Sequence, residues 1–141
     1  MATSKAFKRS MSVFFPCYNE EANVERTARA ALTACERLFD DYEVIIVNDG
    51  SKDRTGAIAD CLAAGHPCVR AVHNNPNRGY GAALQRGFRA ATKEFVFYTD
   101  GDGQFDFAEL DKLLPMLAEY DIVSGYRLDR QDPLPRKLNA A

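Results

Sequence analysis

The segment Tyr42–Val47, with the sequence YEVIIV, restricts the fold of this chain more than any other feature. Its last four residues are apolar without alternation, which is typical of a strand covered on both faces. Such strands belong to parallel sheets, whose connections are helices. The sequence therefore predicts an α/β fold with helices on both faces of a mostly parallel sheet.

Short apolar runs alternate with segments of helical periodicity along the chain, which favours a Rossmann-like succession of βαβ units. Asn19 is a candidate N-cap of the first helix, and Pro115 is expected to bend the fourth. The predicted strands are Met11–Pro16, Tyr42–Val47, Val69–Val72, Phe95–Thr99 and Ile122–Gly125; the predicted helices begin near Asn19, Thr55, Gly79 and Asp106.

Composition excludes several classes of protein. The 141 residues carry 18 Lys and Arg against 20 Asp and Glu, so no basic field is present and we expect no nucleic-acid partner. No apolar run approaches the roughly 20 residues of a membrane span, and no signal peptide is visible. The four cysteines form no C-x-x-C pair, and we expect structural thiols in a reducing compartment, with Cys35 and Cys61 on apolar helix stripes.

The loops that follow the first four predicted strands are all polar. Ligands of open parallel sheets bind outside the carboxyl ends of the strands, so we expect the functional site at this edge. The four polar segments are Pro16–Glu20 (PCYNE), Asn48–Ser51 (NDGS), Asn74–Arg78 (NNPNR) and Asp100–Gln104 (DGDGQ).

Asp100 and Asp102 are candidate ligands of a divalent cation, Mg²⁺ or Mn²⁺. Two carboxylates two residues apart in a turn can approach one hard cation, and Gln104 adds a third oxygen on the same side. These cations are commonly held by one or two carboxylates together with substrate phosphates. The alternative is an ordinary Asp-Gly turn.

Three further loops offer contacts for a nucleotide. Tyr18 and Glu20 suit a flat base, and Asp49 can accept hydrogen bonds from a base or a ribose. Gly79, beside Arg78, lets a backbone approach phosphates at a helix start. The alternatives are an Asx turn for Asp49, helix-dipole complementation for Glu20, and close packing of helix on sheet for the glycine.

A second interpretation is a dinucleotide-binding oxidoreductase. Gly79 and Gly81, with Asp100 about twenty residues later, imitate its glycine-rich fingerprint. The third glycine of that pattern is Leu84 here, and the loop follows the third strand instead of the first. We therefore rank this interpretation second.

Four motifs in order resemble the nucleotide-sugar domain of family 2 inverting glycosyltransferases, which have the GT-A fold. The resemblance covers about residues 11–139 and is strongest to the dolichyl-phosphate mannosyltransferase-like group, which acts on polyprenyl phosphates. The motifs are PCYNE (Pro16–Glu20), NDGSKDRT (Asn48–Thr55), NRGYGAA (Asn77–Ala83) and DGDGQ (Asp100–Gln104).

The resemblance implies a role for each matching residue. A nucleoside-binding set and a D-x-D metal pair are implied near the donor, with arginines of the tail at the phosphates of donor or acceptor. The implied nucleoside contacts are Pro16, Tyr18, Glu20 and Asp49; Arg78 and Gly79 lie near the donor; Asp100, Asp102 and Gln104 hold the metal or phosphate; Arg127 and Arg136 bring charge to the phosphates.

The implied reaction transfers a sugar, with inversion, from a UDP- or GDP-sugar to a polyprenyl (dolichyl or undecaprenyl) phosphate, as in the synthesis of cell-envelope glycans. A phosphate acceptor needs no general base; for a hydroxyl acceptor, Asp121 and Asp129 are candidates by position. We expect a cytoplasmic protein, peripheral at the inner face of the membrane, with the membrane surface as a partner.

The same resemblance divides the chain into three parts. Residues 1–10 are predicted as an N-terminal extension, 11–126 as the nucleotide-sugar-binding core, and 127–141 as the start of an acceptor-side region. Catalytic domains of this family continue well past such a point, so we expect a C-terminally truncated domain. This leaves an alternative function, a nucleotide-binding module that lacks catalytic competence.

Overall fold

The computed structural model describes residues 9–126, in which strands and helices alternate. The strands and helices of the first part are β1 (Met11–Cys17), α1 (Val24–Leu38), β2 (Tyr42–Asp49), α2 (Thr55–Gly65), β3 (Val69–Asn74), α3 (Tyr80–Ala90) and β4 (Phe95–Tyr98). A 3₁₀ turn (Phe107–Glu109), the short helix α4 (Leu110–Leu113) and a second 3₁₀ turn (Leu114–Ala118) follow.

The four strands form one parallel sheet in the order β3-β2-β1-β4. β1 pairs with β2 along its full length, from Met11 opposite Tyr42 to Cys17 opposite Asn48. The predicted parallel α/β fold is confirmed. Because all strands run in the same direction, the loops that follow them leave from one edge of the sheet, which we call the site edge.

Both faces of the two central strands are buried, as the apolar run in β2 predicts. Phe14 of β1 and Ile45 of β2 pack with Ala83 of α3 in one core cluster on the α3 face. Val44 and Ile46 point to the opposite face by alternation and are also fully buried. Each such side chain contributes roughly 1.5–3 kcal/mol through burial.

A buried carboxylate connects the strands near their amino-terminal ends, opposite the site edge. Glu43 accepts hydrogen bonds from Ser12 Oγ (2.7 Å), Arg70 Nη1 (2.9 Å), and both the amide and the hydroxyl of Thr92 (2.8 Å each). Burial alone would raise the pKa of Glu43, but these hydrogen bonds outweigh it and lower the pKa to about 2. Glu43 thus joins β1, β2, β3 and the connection between α3 and β4.

The predicted fifth strand, Ile122–Gly125, is wrong: these residues are irregular, and the sheet has four strands within the described residues. The segment supplies only two β-branched residues, and Ile122 is 87% exposed. A strand forms only where its backbone groups find a ladder partner. None of the described strands pairs with this segment.

The ends of two predicted helices also differ from the structure. The first helix begins at Val24 and is not capped by Asn19, whose φ of 53° is left-handed and therefore unsuited to an N-cap. The predicted fourth helix ends at Leu113, where the chain tightens into a 3₁₀ turn. Pro115 lies in this 3₁₀ turn, where its lack of an N–H donor is tolerated, and the bend expected at Pro115 stays a prediction.

The chain divides into two compact units, one ending at Glu109 and the other beginning at Leu110. The first contains the whole sheet and the four polar segments. The predicted boundary after residue 126 stays a prediction. Among the residues described, no helix has both the length and the apolar character needed to cross a membrane.

Candidate functional site

The loops after β1 and β2 are interlocked by hydrogen bonds. Ser51 Oγ accepts from the Asn19 amide (3.0 Å), and Asn19 Oδ1 accepts in turn from the Lys52 amide (2.9 Å). Thr55, the first residue of α2, accepts from the Glu20 amide at 2.8 Å. Asn19 therefore joins two loops instead of capping a helix, and its left-handed backbone allows both of its bonds.

The implied nucleoside-binding residues of the first loop lie at the end of β1. Pro16 is buried opposite Val47, whereas the Tyr18 side chain is 44% exposed. Glu20 is half-buried, and its Oε2 accepts a hydrogen bond from Asn23 Nδ2 at 2.9 Å. Tyr18 is thus exposed and Glu20 half-buried in the same loop, and the nucleoside-binding role of the three residues stays a prediction.

Asp49 is buried at the end of β2 and holds the loop that follows β3. Its Oδ1 accepts from Asn74 Nδ2 (2.9 Å) and from the Arg78 amide (3.0 Å), and its Oδ2 accepts from the Gly79 amide (3.0 Å). These bonds do not form the Asx turn considered as the alternative for Asp49; its neighbour Asn48 accepts from the Ser51 amide, three residues on, at 3.1 Å. Asp49 is thus a structural hub of the site edge.

Backbone contact reinforces the link between the loops after β2 and β3. Asn77 Nδ2 donates to the carbonyl oxygen of Asp49 at 2.9 Å. Gly50 adopts a φ of +66°, and a Cβ on it would lie 2.3 Å from the Asn77 nitrogen. No other residue type fits at position 50 without moving this loop.

Tyr80 connects the start of α3 to the loop after β4. Its hydroxyl donates to Asp100 Oδ1 at 2.9 Å, and its side chain is 56% exposed. Sequence reasoning missed this residue, because it treated Tyr80 as the spacer between Gly79 and Gly81. The available signal was an aromatic residue at the predicted start of a helix, directly after one of the four polar segments.

The loop after β4 lies directly on the end of β1. A Cβ on Gly101 would be only 2.5 Å from both the Pro16 carbonyl oxygen and Cys17 Sγ. Beyond it, the rings of Phe105 and Phe107 pack against each other at a centroid distance of 5.3 Å. These contacts close the four loops into a ring, because each loop touches the next; we call it the loop ring (residues 16–21, 48–55, 74–80 and 100–103).

Negative charge collects near the buried end of β1. Burial raises the pKa of the Cys17 thiol, and the negative charges of Glu20, Asp102 and Asp53 raise it further. Cys17 therefore stays a protonated thiol. Carboxylates from three different loops therefore lie close enough to Cys17 to act on this one group.

The carboxylates of Asp100 and Asp102 fit a shared cation better than a complete protein metal site. The described residues contain no group of three or more His, Cys, Asp or Glu that could hold a metal ion. Asp102 Oδ1 accepts from the Gln104 amide at 3.1 Å, which is the turn expected as the alternative. Mg²⁺ and Mn²⁺ are commonly held by one or two carboxylates together with phosphate and water. The metal-binding role of Asp100, Asp102 and Gln104 stays a prediction.

One backbone group proposed for phosphate binding is engaged within the protein. The Gly79 amide donates to Asp49 Oδ2 and to Asn77 Oδ1 (3.1 Å), so this N–H already has partners within the protein, and the approach of a phosphate to the backbone at Gly79 stays a prediction. A Cβ on Gly79 or Gly81 would meet open space, which also excludes close packing as the reason for the glycines. The Arg78 side chain is exposed. Arg127, Arg136 and Asp129 lie outside the described residues.

Comparison with known proteins agrees with this geometry. The family model described as glycosyl transferase family 2 matches residues 12–139. The chain belongs to this family. The dinucleotide-binding oxidoreductase interpretation is therefore wrong. The glycines that imitate its fingerprint, Gly79 and Gly81, lie at the start of α3.

Two curated relatives are similar over nearly the whole chain. Glycosyltransferase AglD of Haloferax volcanii is 37% identical over 142 residues, which cover 96% of this chain and 23% of the relative. Undecaprenyl-phosphate 4-deoxy-4-formamido-L-arabinose transferase of Pectobacterium carotovorum is 34% identical over 132 residues, which cover 92% of this chain and 40% of that enzyme. The chain thus spans well under half the length of either relative.

A solved structure shows the same fold. The mannosyltransferase PcManGT of Pyrobaculum calidifontis, in complex with GDP-Man and Mn²⁺, superposes with a TM-score of 0.61 at 30% identity. The match covers 68% of this chain and 28% of that one. The fold of this family 2 chain is therefore the GT-A fold that the four motifs implied.

Proposed function

We propose that this chain forms the donor-binding part of a glycosyltransferase that moves a sugar from a UDP- or GDP-sugar to a polyprenyl phosphate. The observation that carries the proposal is the loop ring, which gathers the acids of the first, second and fourth loops at the site edge of a family 2 chain. The complex of PcManGT with GDP-Man and Mn²⁺ supports the donor class and the cation.

In this proposal the exposed ring of Tyr18 and the carboxylate of Glu20 contact the nucleoside, and Pro16 shapes the floor beneath it. Asp49 acts through the loop that it holds. Asp100 and Asp102, with Gln104, would hold Mg²⁺ or Mn²⁺, which offsets the charge of the leaving diphosphate.

The reaction is a direct displacement. The acceptor oxygen attacks the anomeric carbon from the face opposite the nucleoside diphosphate, so the configuration inverts. Arg127 and Arg136 are proposed to stabilise the phosphate charge that develops, as preorganised cations do elsewhere.

A polyprenyl phosphate is the acceptor that best fits the chain. The relative from Pectobacterium carotovorum is named for undecaprenyl phosphate. Such an acceptor is already an anion, so no general base is required of Asp121 or Asp129. Because the acceptor is a membrane lipid, we place the protein on the cytoplasmic side, peripheral at the inner face of the membrane.

A second candidate function is nucleotide binding without transfer. The observation that favours it is coverage, because the aligned region makes up 23% and 40% of the two curated relatives. In that case the site edge would bind donor while the acceptor side is supplied by other residues.

Calorimetric titration of the chain with GDP and UDP, with and without Mn²⁺, tests the donor site. We expect one nucleoside diphosphate to bind more tightly with Mn²⁺, and Asp102→Asn to remove most of that gain. Asp106→Asn is the matched control, because an asparagine can still accept from the Ala108 amide, as Asp106 Oδ1 does at 3.0 Å.

The same titration, followed by an assay of transfer, separates the proposed donor site from the non-catalytic alternative. Absence of binding by either nucleotide, or equal effects of the two variants, would refute the donor site. Binding without any transfer to undecaprenyl phosphate would favour the non-catalytic module.

A further inference from the structure

Tyr80 occupies a position from which it can fix the geometry of Asp100. Its hydroxyl lies 2.9 Å from Asp100 Oδ1, within hydrogen-bond distance, and a hydrogen bond to a carboxylate is stronger than one between neutral groups. Phenolic oxygen donates its one proton, so the bond sets which way the Asp100 carboxylate faces.

The backbone beside Tyr80 is itself anchored. The preceding residue, Gly79, donates its amide to Asp49 Oδ2 at 3.0 Å, and Asp49 is 3% exposed. Tyr80 is then the first residue of α3, whose following turns hold it in place. A continuous path of contacts therefore runs from buried Asp49 through Gly79 and Tyr80 to Asp100.

The ring of Tyr80 is not held by burial in the core. With 56% of the side chain exposed, burial explains little of its position, and the hydroxyl provides a direct contact with Asp100. Tyr98 offers a contrast on the same side of the fold: it is 44% exposed, and its ring stacks on Phe14 at a centroid distance of 5.5 Å.

We propose that Tyr80 is a positioning residue, which holds the Asp100 carboxylate in the orientation that a divalent cation and its bound diphosphate require. This inference rests on the proposed function, since it assigns Tyr80 a task in the same donor site. Outer residues that orient a metal-binding group commonly change metal affinity by 10–100-fold when they are replaced.

The test compares Tyr80→Phe with Tyr98→Phe in the 141-residue chain. Each variant loses one hydroxyl from an exposed tyrosine, and only the first loses a bond to Asp100. The first measurement is amide hydrogen exchange of residues 100–103 in the metal-free protein, where we expect faster exchange in Tyr80→Phe alone. The second is the Mn²⁺ dissociation constant in the presence of saturating GDP or UDP, where we expect Tyr80→Phe to be about tenfold weaker and Tyr98→Phe unchanged.

The two measurements separate this inference from the proposed function. Unchanged exchange in Tyr80→Phe would overturn the inference, and so would faster exchange with an unaltered Mn²⁺ constant. If the unaltered chain bound neither Mn²⁺ nor nucleotide, the proposed function would fail, and the exchange measurement alone would decide whether Tyr80 fixes Asp100.

Discussion

At the scale of single residues, Asp49 shows how a carboxylate can serve a site through the backbone around it. Its side chain accepts three hydrogen bonds, two of them from consecutive main-chain amides of the loop after β3. Partly buried N–H groups are stabilised by a partner, and the Asp49 carboxylate supplies one to the amides of both Arg78 and Gly79.

Asp49→Asn should therefore destabilise the chain strongly for so small a change. The asparagine keeps one acceptor oxygen and turns an NH₂ group toward donors, so at least one of the three hydrogen bonds to Asp49 is replaced by a contact between two donors. We expect the free energy of unfolding in urea to fall by about 2 kcal/mol.

Asp60→Asn is the control for that variant. Asp60 is exposed and lies 2.8 Å from His73 Nε2, so its replacement should cost less than about 1 kcal/mol. Equal losses in the two variants would contradict the role of Asp49 as a hub.

The types of the site residues could be predicted from the sequence, but their partners could not. Asp49 and Asp100 stand where strands end, and that position is visible in the pattern of apolar runs. Their partners lie 25 to 30 residues away for Asp49 and 20 for Asp100, so no local rule connects them. Sequence reasoning consequently predicted that Asp49 contacts a base or a ribose, or forms an Asx turn, without its contacts to the loop after β3. It also overlooked Tyr80.

At the scale of elements, the strands could be predicted because buried strands have apolar runs in the sequence. The helix ends could not, because they depend on contacts of the irregular loops before them. β2 has both faces covered, and its apolar run shows this directly. The start of α1 could not be predicted, because Asn19 resembles an N-cap until its contacts with Ser51 and Lys52 are known. The segment 122–125 has strand-forming residues, but pairing depends on a partner that composition does not reveal.

Glu43 should make the stability of the sheet depend on pH in the acid range. Its folded pKa of about 2 lies below the ordinary value of 4.5, so its contribution is fully present above pH 4.5. The contribution is lost as the pH falls from 4.5 toward 2, because the unfolded chain then binds the proton more readily. The shift corresponds to on the order of 3 kcal/mol.

Urea unfolding of the wild type and Glu43→Gln between pH 7 and pH 3 measures this contribution. We expect the difference in unfolding free energy between the two proteins to shrink toward acid pH. Glu25→Gln is the control, since Glu25 pairs with Arg29 at 2.8 Å on the exposed surface of α1 and should show little such trend. A difference that stays constant with pH would refute the role given to Glu43.

At the scale of the whole molecule, the buried cysteines report on the unit that contains the sheet. Burial holds the pKa of Cys35 at about 12, with a further contribution from Cys68, and it also raises the pKa of Cys17. Both thiols are shielded and protonated, so they react only when the structure opens. Cys61, expected on an apolar helix stripe, is exposed instead.

We therefore expect Cys61 to react first with a thiol reagent, and Cys17 and Cys35 to react slowly and together. Because both lie in the unit that ends at Glu109, their labelling should show the same opening free energy and the same dependence on urea. Peptide mapping by mass spectrometry, in a chain with Cys61 and Cys68 replaced by serine, resolves the two rates. Different urea slopes would show that strand β1 and helix α1 open separately.

The loop ring has a consequence for the entropy of ligand binding. Side-chain hydrogen bonds from Ser51, Asp49 and Tyr80 hold three junctions of this ring, so the ordering of these segments is part of folding. A ligand that arrives at the site edge meets a rigid surface and does not have to order it, and preorganisation of this kind lowers the entropic cost of association. In this chain the loss of conformational entropy that orders the loops occurs on folding, where burial of the sheet offsets it.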